Sequence, residues 1–125
     1  MTKFLIDADM AIYAMAERHS ALNDRLANCY PGDVAISAIS FAEIAVGTFV
    51  GKPPSPEVLN GFISVIPILP FDSVAARQYA RLPFKRARFD RLLAAHALGL
   101  GAVVITNNEA DFADVPGLLV ENWTL

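Results

Sequence analysis

FDRLLAAHALGLGAVVITNNEADF, residues 89–112, reads as helix, strand and acidic loop in direct succession. Arg91 to Leu98 is a helical run, with Asp90 placed to cap it and Gly99 to end it. Ala102 to Thr106 is apolar and β-branched, as a strand should be. The polar stretch Asn107 to Asp111 then forms a loop. Working outward, Lys3 to Ile6 reads as a buried first strand, followed by a helix over Met10 to Arg18 that Asp9 can cap. A further helix lies between His19 and Cys29. Pro31-Gly32-Asp33 makes a turn into a second buried strand, Val34 to Ser37. Ser40 opens the next helix, with Glu43 completing a capping box, and Ser55-Pro56-Glu57 opens another. Pro67 places the strand Ile66 to Leu69 at an edge or makes it short, because proline cannot donate to a ladder. Asp72 or Ser73 caps a helix that Pro83 stops, and Leu118 to Val120 is a short last strand. Strands alternating with helices predict an α/β fold whose mainly parallel central sheet is flanked by helices.

The chain has 125 residues, enough for one domain spanning 1–125. At 54% hydrophobic and 18% charged residues it excludes a disordered segment. The apolar surplus points to self-association or a partner, with the helices around Met10–Met15 and Ser55–Phe62 as donors of apolar surface. One cysteine, Cys29, excludes an internal disulfide framework and a multi-cysteine zinc site. Asp7 cuts the first apolar run too early for a signal-peptide core. No uncharged stretch reaches the roughly 20 residues of a membrane span. A cytoplasmic, membrane-free protein is expected.

Net charge is −3, yet residues 77–91 hold six cations, Arg77, Arg81, Lys85, Arg86, Arg88 and Arg91, against the single acid Asp90. A basic strip on an otherwise acidic chain can touch a polyanion with one face; a solvated helix face is the competing reading.

The acids carry more. In a parallel α/β sheet, ligands sit at the carboxyl ends of the strands, where the returning helices also begin. Asp7 follows the first strand, Glu43 lies near the start of the helix after the second, Asp90 starts the helix before the third, and Asp111 lies beyond that strand. Topology therefore gathers Asp7, Glu43, Asp90 and Asp111 at one rim. Each alone reads equally as a helix cap or a loop acid. Together they repel: two unit charges ~5 Å apart cost roughly 3 kcal/mol at an effective dielectric of 20, more than a cap contributes. A divalent cation offsets that repulsion, and all-oxygen carboxylate ligation suits Mg²⁺ or Mn²⁺.

The segments KFLIDAD (3–9), SAISFAEIAVG (37–47), residues 89–112 and VPGLLVENW (115–123) resemble the PIN-domain family, and within it the VapC toxins of toxin–antitoxin modules. The resemblance implies a PIN-like three-layer sandwich and an Mg²⁺- or Mn²⁺-dependent endoribonuclease. Its carboxylates Asp7, Glu43, Asp90 and Asp111 would serve as catalytic and metal-binding residues. It further implies a homodimer, a VapB-type antitoxin partner, and DNA contact only through that antitoxin. Arg86, Arg88 and Arg91 are then candidates for steering the RNA backbone. The chain departs from the family pattern at Asp9, where a small polar residue is usual. It also departs in a shortened 81–89 stretch, and at Asn107 and Asn108, where some relatives carry an aspartate.

Two rival readings are weighed against this one. A receiver-like phosphoacceptor module also gathers acids beside Mg²⁺, but needs a lysine after a late strand, where this chain has Asn107 and Asn108. A catalytically inactive PIN-like interaction domain would have little use for the full set of acids. Ser37, Ser40 and Thr106 are placed to support the acids by hydrogen bonding. His96, Cys29, Phe112 and Trp123 read as packing residues, and His19 as surface.

Overall fold

The computed structural model describes residues 1–83 and 89–125. Among these residues, strands β1 (Phe4–Ile6), β2 (Val34–Ser37), β3 (Ile68–Leu69), β4 (Val103–Ile105) and β5 (Val120–Glu121) form one sheet in the order β3-β2-β1-β4-β5. Every pairing is parallel. Helices α1 (Ala8–Met15), α2 (Ser20–Ala27), α3 (Ala38–Phe49), α4 (Pro56–Val65), α5 (Ser73–Arg81) and α6 (Phe89–Leu100) connect the strands, and a 3-10 turn, Glu109–Phe112, follows β4. The expected α/β architecture is present. The edge strand expected over Ile66 to Leu69 is shortened to Ile68–Leu69, and Pro67, just before it, meets the sheet through its carbonyl, which accepts from Ile36 N at 2.9 Å.

Side-chain alternation along the strands explains the layers. Leu5, Ala35 and Val104 point into one apolar cluster with Leu93, Ala94 and Ala97 of α6. Their neighbours Ile6, Ile36 and Ile105 point into the other, with Met10 and Ala11 of α1, Ile44 of α3 and Trp123. Both faces are therefore apolar and both are covered by helices, as a parallel sheet requires.

Register then builds the rim. Ile6 pairs with Ile36 on one side and Ile105 on the other. The next row at the carboxyl edge is Asp7, Ser37 and Thr106, three polar residues at the ends of three adjacent strands. The chain crosses from the β2 side to the β4 side of β1, so Asp7 and Thr106 flank the topological switch point, where such sheets bind ligands.

Local starts and stops differ from expectation in instructive ways. Helix α1 is capped by Asp7, whose Oδ1 accepts from Met10 N at 2.8 Å, and Asp9 lies inside the first turn. Strand β2 passes into α3 without a linker, so Ser37 rather than Ser40 is the cap, with Oγ accepting from Ile39 N at 3.1 Å. Ser40 is buried within the helix and Glu43 falls in its second turn, so there is no capping box. Asp90 likewise sits inside the first turn of α6. That helix runs through Gly99 to Leu100, and Gly101, at φ +67°, ends it. Ala102 N donates to Ala97 O and Gly101 N to Leu98 O, which is how a left-handed residue closes a helix. Gly99 serves packing instead: a Cβ there would meet Val74 Cγ1 at 3.2 Å and the Ala75 backbone at 3.4 Å on α5. The apolar side of Met10–Met15 is also not surface, since Met10, Ala11 and Ala14 are buried. Large exposed apolar side chains lie instead at Val46, Phe49 and Val50 around the end of α3, and at Val58 and Val65 on α4.

Candidate active site

Asp7 stands at the centre of the rim. Two hydrogen bonds stabilise its ionised form, one from Met10 N and one from the Thr106 side chain. Burial outweighs both and, helped by the charges of Asp9 and Asp90, pushes its carboxyl up to about 6. Thr106 is fully buried, and its Oγ1 also accepts from Asn108 N at 3.0 Å.

Glu43 projects from α3. Partial desolvation, followed by the charges of Asp90, Asp9 and Asp7, pushes its carboxyl up to about 7. The residue as a whole reaches solvent, which makes like-charge repulsion the firmer of the two causes; Asp90 is the strongest repelling neighbour. Asp7, Asp9, Glu43 and Asp90 thus share one electrostatic environment, although they come from three different helix starts. Asp111 is exposed on the 3-10 turn. Its tie to the rim runs through backbone: Asp111 N donates to Asn108 O at 3.0 Å, and Asn108 N reaches Thr106.

The cationic candidates fare differently. Arg86 and Arg88 lie outside the described residues. Arg91 is only 7% exposed and donates to Asp114 Oδ2 at 2.5 Å, with its second amino nitrogen, Nη1, buried without a partner among the described residues. Its location in the packed side of α6 makes it a poor ligand for an RNA backbone, contrary to the sequence expectation. No spacing rule marks Asp114 as its partner; only the fold of the 109–117 segment against α6 brings them together.

The donor chemistry fits a hard divalent cation. The coupled groups offer carboxylate oxygens, burial and mutual repulsion make two of them resist ionisation, and among the described residues Ser40 Oγ is buried without a partner one turn before Glu43. Among the described residues, no three His, Cys, Asp or Glu side chains stand close enough to form a ready-made cage. Mg²⁺ does not require one, since it keeps several waters and is commonly held by one or two carboxylates.

The sequence profile of the PIN domain matches residues 4–118. The chain belongs to the PIN-domain family. This PIN domain is 30% identical to the tRNA(fMet)-specific endonuclease VapC of Salmonella typhimurium, over 98% of this chain and 99% of the relative. It is 29% identical to the protein of the same name from Shigella flexneri, over 99% and 100%. Among solved structures it resembles the DNA-bound VapBC complex of S. typhimurium (TM-score 0.83, 29% identity, 98% and 99% covered). It equally resembles VapBC2 of Rickettsia felis bound to a promoter DNA fragment (TM-score 0.83, 25% identity, the same coverage). Membership of this family, in its VapC branch, sets aside the receiver-like reading. Among the described residues, no helix is long and apolar enough to cross a membrane.

Proposed function

We propose that this PIN domain, acting as one unit over residues 1–125, is the endoribonuclease toxin of a VapBC-type pair and hydrolyses RNA phosphodiester bonds at the carboxylate rim. The observation that carries this reading is the mutual coupling of Asp7, Glu43 and Asp90, with Asp9, at the carboxyl edge of a parallel sheet. Asp7 and Asp90, with Glu43, would hold Mg²⁺ or Mn²⁺, and Asp111 completes the proposed set from the 3-10 turn. A bound divalent cation supplies charge neutralisation at the scissile phosphate and acidifies a water.

The chain's own residues do the rest. Glu43, more exposed than Asp7 and Asp90, would orient the attacking water and take its proton, the cation's charge keeping the carboxylate ionised beforehand. That water's oxygen bonds to phosphorus as the bond to the leaving ribose oxygen breaks. Thr106 and the Met10 amide fix the orientation of Asp7, so its oxygens need not reorganise. The proposed partners are the RNA substrate, a VapB-type antitoxin, a second copy of this chain, and DNA through the antitoxin only. The DNA-bound VapBC structures of relatives support the antitoxin.

The test is cleavage of a mixed RNA by the purified chain with Mg²⁺ or Mn²⁺, beside Asp90→Asn and Glu43→Gln. Each variant should fold and lose on the order of 10²-fold or more in rate. Millimolar metal should raise the melting temperature of the parent and not of Asp90→Asn. Variants that cut at the parent rate overturn the reading.

A further inference from the structure

His96 and Ser37 bridge the two helices that carry the most strongly coupled acids. His96 lies on α6, six residues after Asp90, and is 2% exposed. Its Nδ1 stands 2.8 Å from Oγ of Ser37, the fully buried cap of α3, six residues before Glu43. The ring is held edge-to-face by Phe71, with centroids 5.7 Å apart.

The hydrogen-bond partners of Ser37 and the burial of the ring favour one tautomer. Ser37 Oγ already accepts the Ile39 N–H at the helix start. Its own hydroxyl proton is available for a further partner, and His96 Nδ1 stands at hydrogen-bonding distance. With the serine donating to Nδ1, the imidazole is neutral and carries its proton on Nε2. Burial, opposed only in part by Asp72, holds the ring's pKa below the usual histidine value, in agreement with a neutral ring.

We propose that His96 is a positioning residue: by accepting from Ser37 it locks α6 to the cap of α3 and so sets the separation of Asp90 and Glu43 across the rim. The bond involves no substrate contact. Its effect passes along α3 and α6, and on each helix the acid lies within two turns of the bond. It rests on the reading of that rim as a catalytic metal centre.

His96→Leu keeps an apolar side chain and removes the acceptor, whereas His96→Asn is smaller but places Oδ1 where Nδ1 was. Binding of Mn²⁺ alone to the full chain is measured by calorimetry, with kcat and KM on RNA and a thermal melt. His96→Leu should bind Mn²⁺ about tenfold more weakly and lose kcat with KM for RNA unchanged, as when a ligand's supporting partner is removed. His96→Asn should recover most of the Mn²⁺ affinity while melting no higher than His96→Leu. A packing role would instead order both properties by side-chain volume, and that result overturns the proposal. So does parent-like Mn²⁺ binding and kcat in His96→Leu. Nitrogen NMR of the parent gives a check without variants: a proton found on Nδ1 overturns the assignment. A parent that neither binds Mn²⁺ nor cuts RNA overturns the reading of the rim itself; a parent that does both while His96→Leu matches it overturns only the positioning role.

Discussion

Thr106 donates its side-chain hydroxyl to Asp7 across the β1–β4 switch point, and the same oxygen accepts the Asn108 amide. One fully buried hydroxyl thereby orients the central acid and turns the chain toward Asp111. Thr106→Val preserves shape and deletes both bonds. Stability at neutral pH should fall by roughly 1–3 kcal/mol, the cost of leaving buried polar groups without partners. The loss should be smaller at pH 5, where a protonated Asp7 needs the donor less. Urea unfolding at both pH values checks this; an unchanged midpoint at pH 8 contradicts it.

The raised carboxyls make the metal-free protein sensitive to alkali. Asp7 titrates near its ordinary 3.8 when unfolded and at about 6 when folded. Between those values the folded chain holds a proton that the unfolded chain has lost, so stability falls as pH rises. Glu43, moving from 4.5 to about 7, adds a fall of the same sign over a higher window. His96 opposes them: its lowered pKa means the unfolded chain protonates first below about 6.5, so its contribution is lost toward acid. In EDTA, Asp7→Asn should therefore gain on the parent at pH 8 and not at pH 4. Denaturant midpoints across that range are the measurement, and a gain that does not grow with pH contradicts the assignment.

The rim was legible in the sequence because strand ends and helix starts meet on one side of a parallel sheet. Once Lys3–Ile6, Val34–Ser37 and Ala102–Thr106 read as strands of one parallel sheet, Asp7, Ser37 and Thr106 fell at its carboxyl edge, while their adjacency comes from the strand order of the fold. What was not legible was set by contacts between distant segments. Gly99 looks like a helix terminator in sequence, but the close approach of α5 is what requires it, and Gly101 supplies the left-handed turn. Asp9 and Ser40 each satisfy a capping pattern, yet strands that run directly into helices hand the cap to the last strand-edge residue, Asp7 or Ser37. Arg91 carries the composition of a phosphate contact and the burial of a core residue, and only the folded 109–117 segment decides between them.

Arg91 therefore predicts a stability effect in place of a binding effect. Asp114→Asn leaves a guanidinium buried with reduced compensation. Because Asp114 itself reaches solvent, the cost should be on the order of 2 kcal/mol, below that of a fully buried pair. Arg91→Gln should leave the salt dependence of RNA binding unaltered. A phosphate-contacting arginine would instead reduce the slope of log K against log salt by about 0.7 on a single strand. Binding titrations from 50 to 200 mM salt separate the two.

Asp9 separates a ligand from a bystander within the acidic rim. It is exposed in the first turn of α1, where an anion favours the helix by about 0.3–1 kcal/mol, and its charge raises both Asp7 and Glu43. Asp9→Asn removes one repelling charge without altering the Asp7 cap or the Thr106 bond. Both carboxyls should then ionise at lower pH, and the acid limb of the kcat profile should move in the same direction, since Glu43 becomes available as a base earlier. Cleavage at pH 8 should stay within about threefold of the parent, against the loss of orders of magnitude expected for Asp90→Asn. RNA cleavage by the parent, Asp9→Asn and Asp90→Asn from pH 5.5 to 8.5 reads both effects. If Asp9→Asn loses activity at every pH as Asp90→Asn does, Asp9 is a ligand and its influence on the profile is not that of a repelling charge.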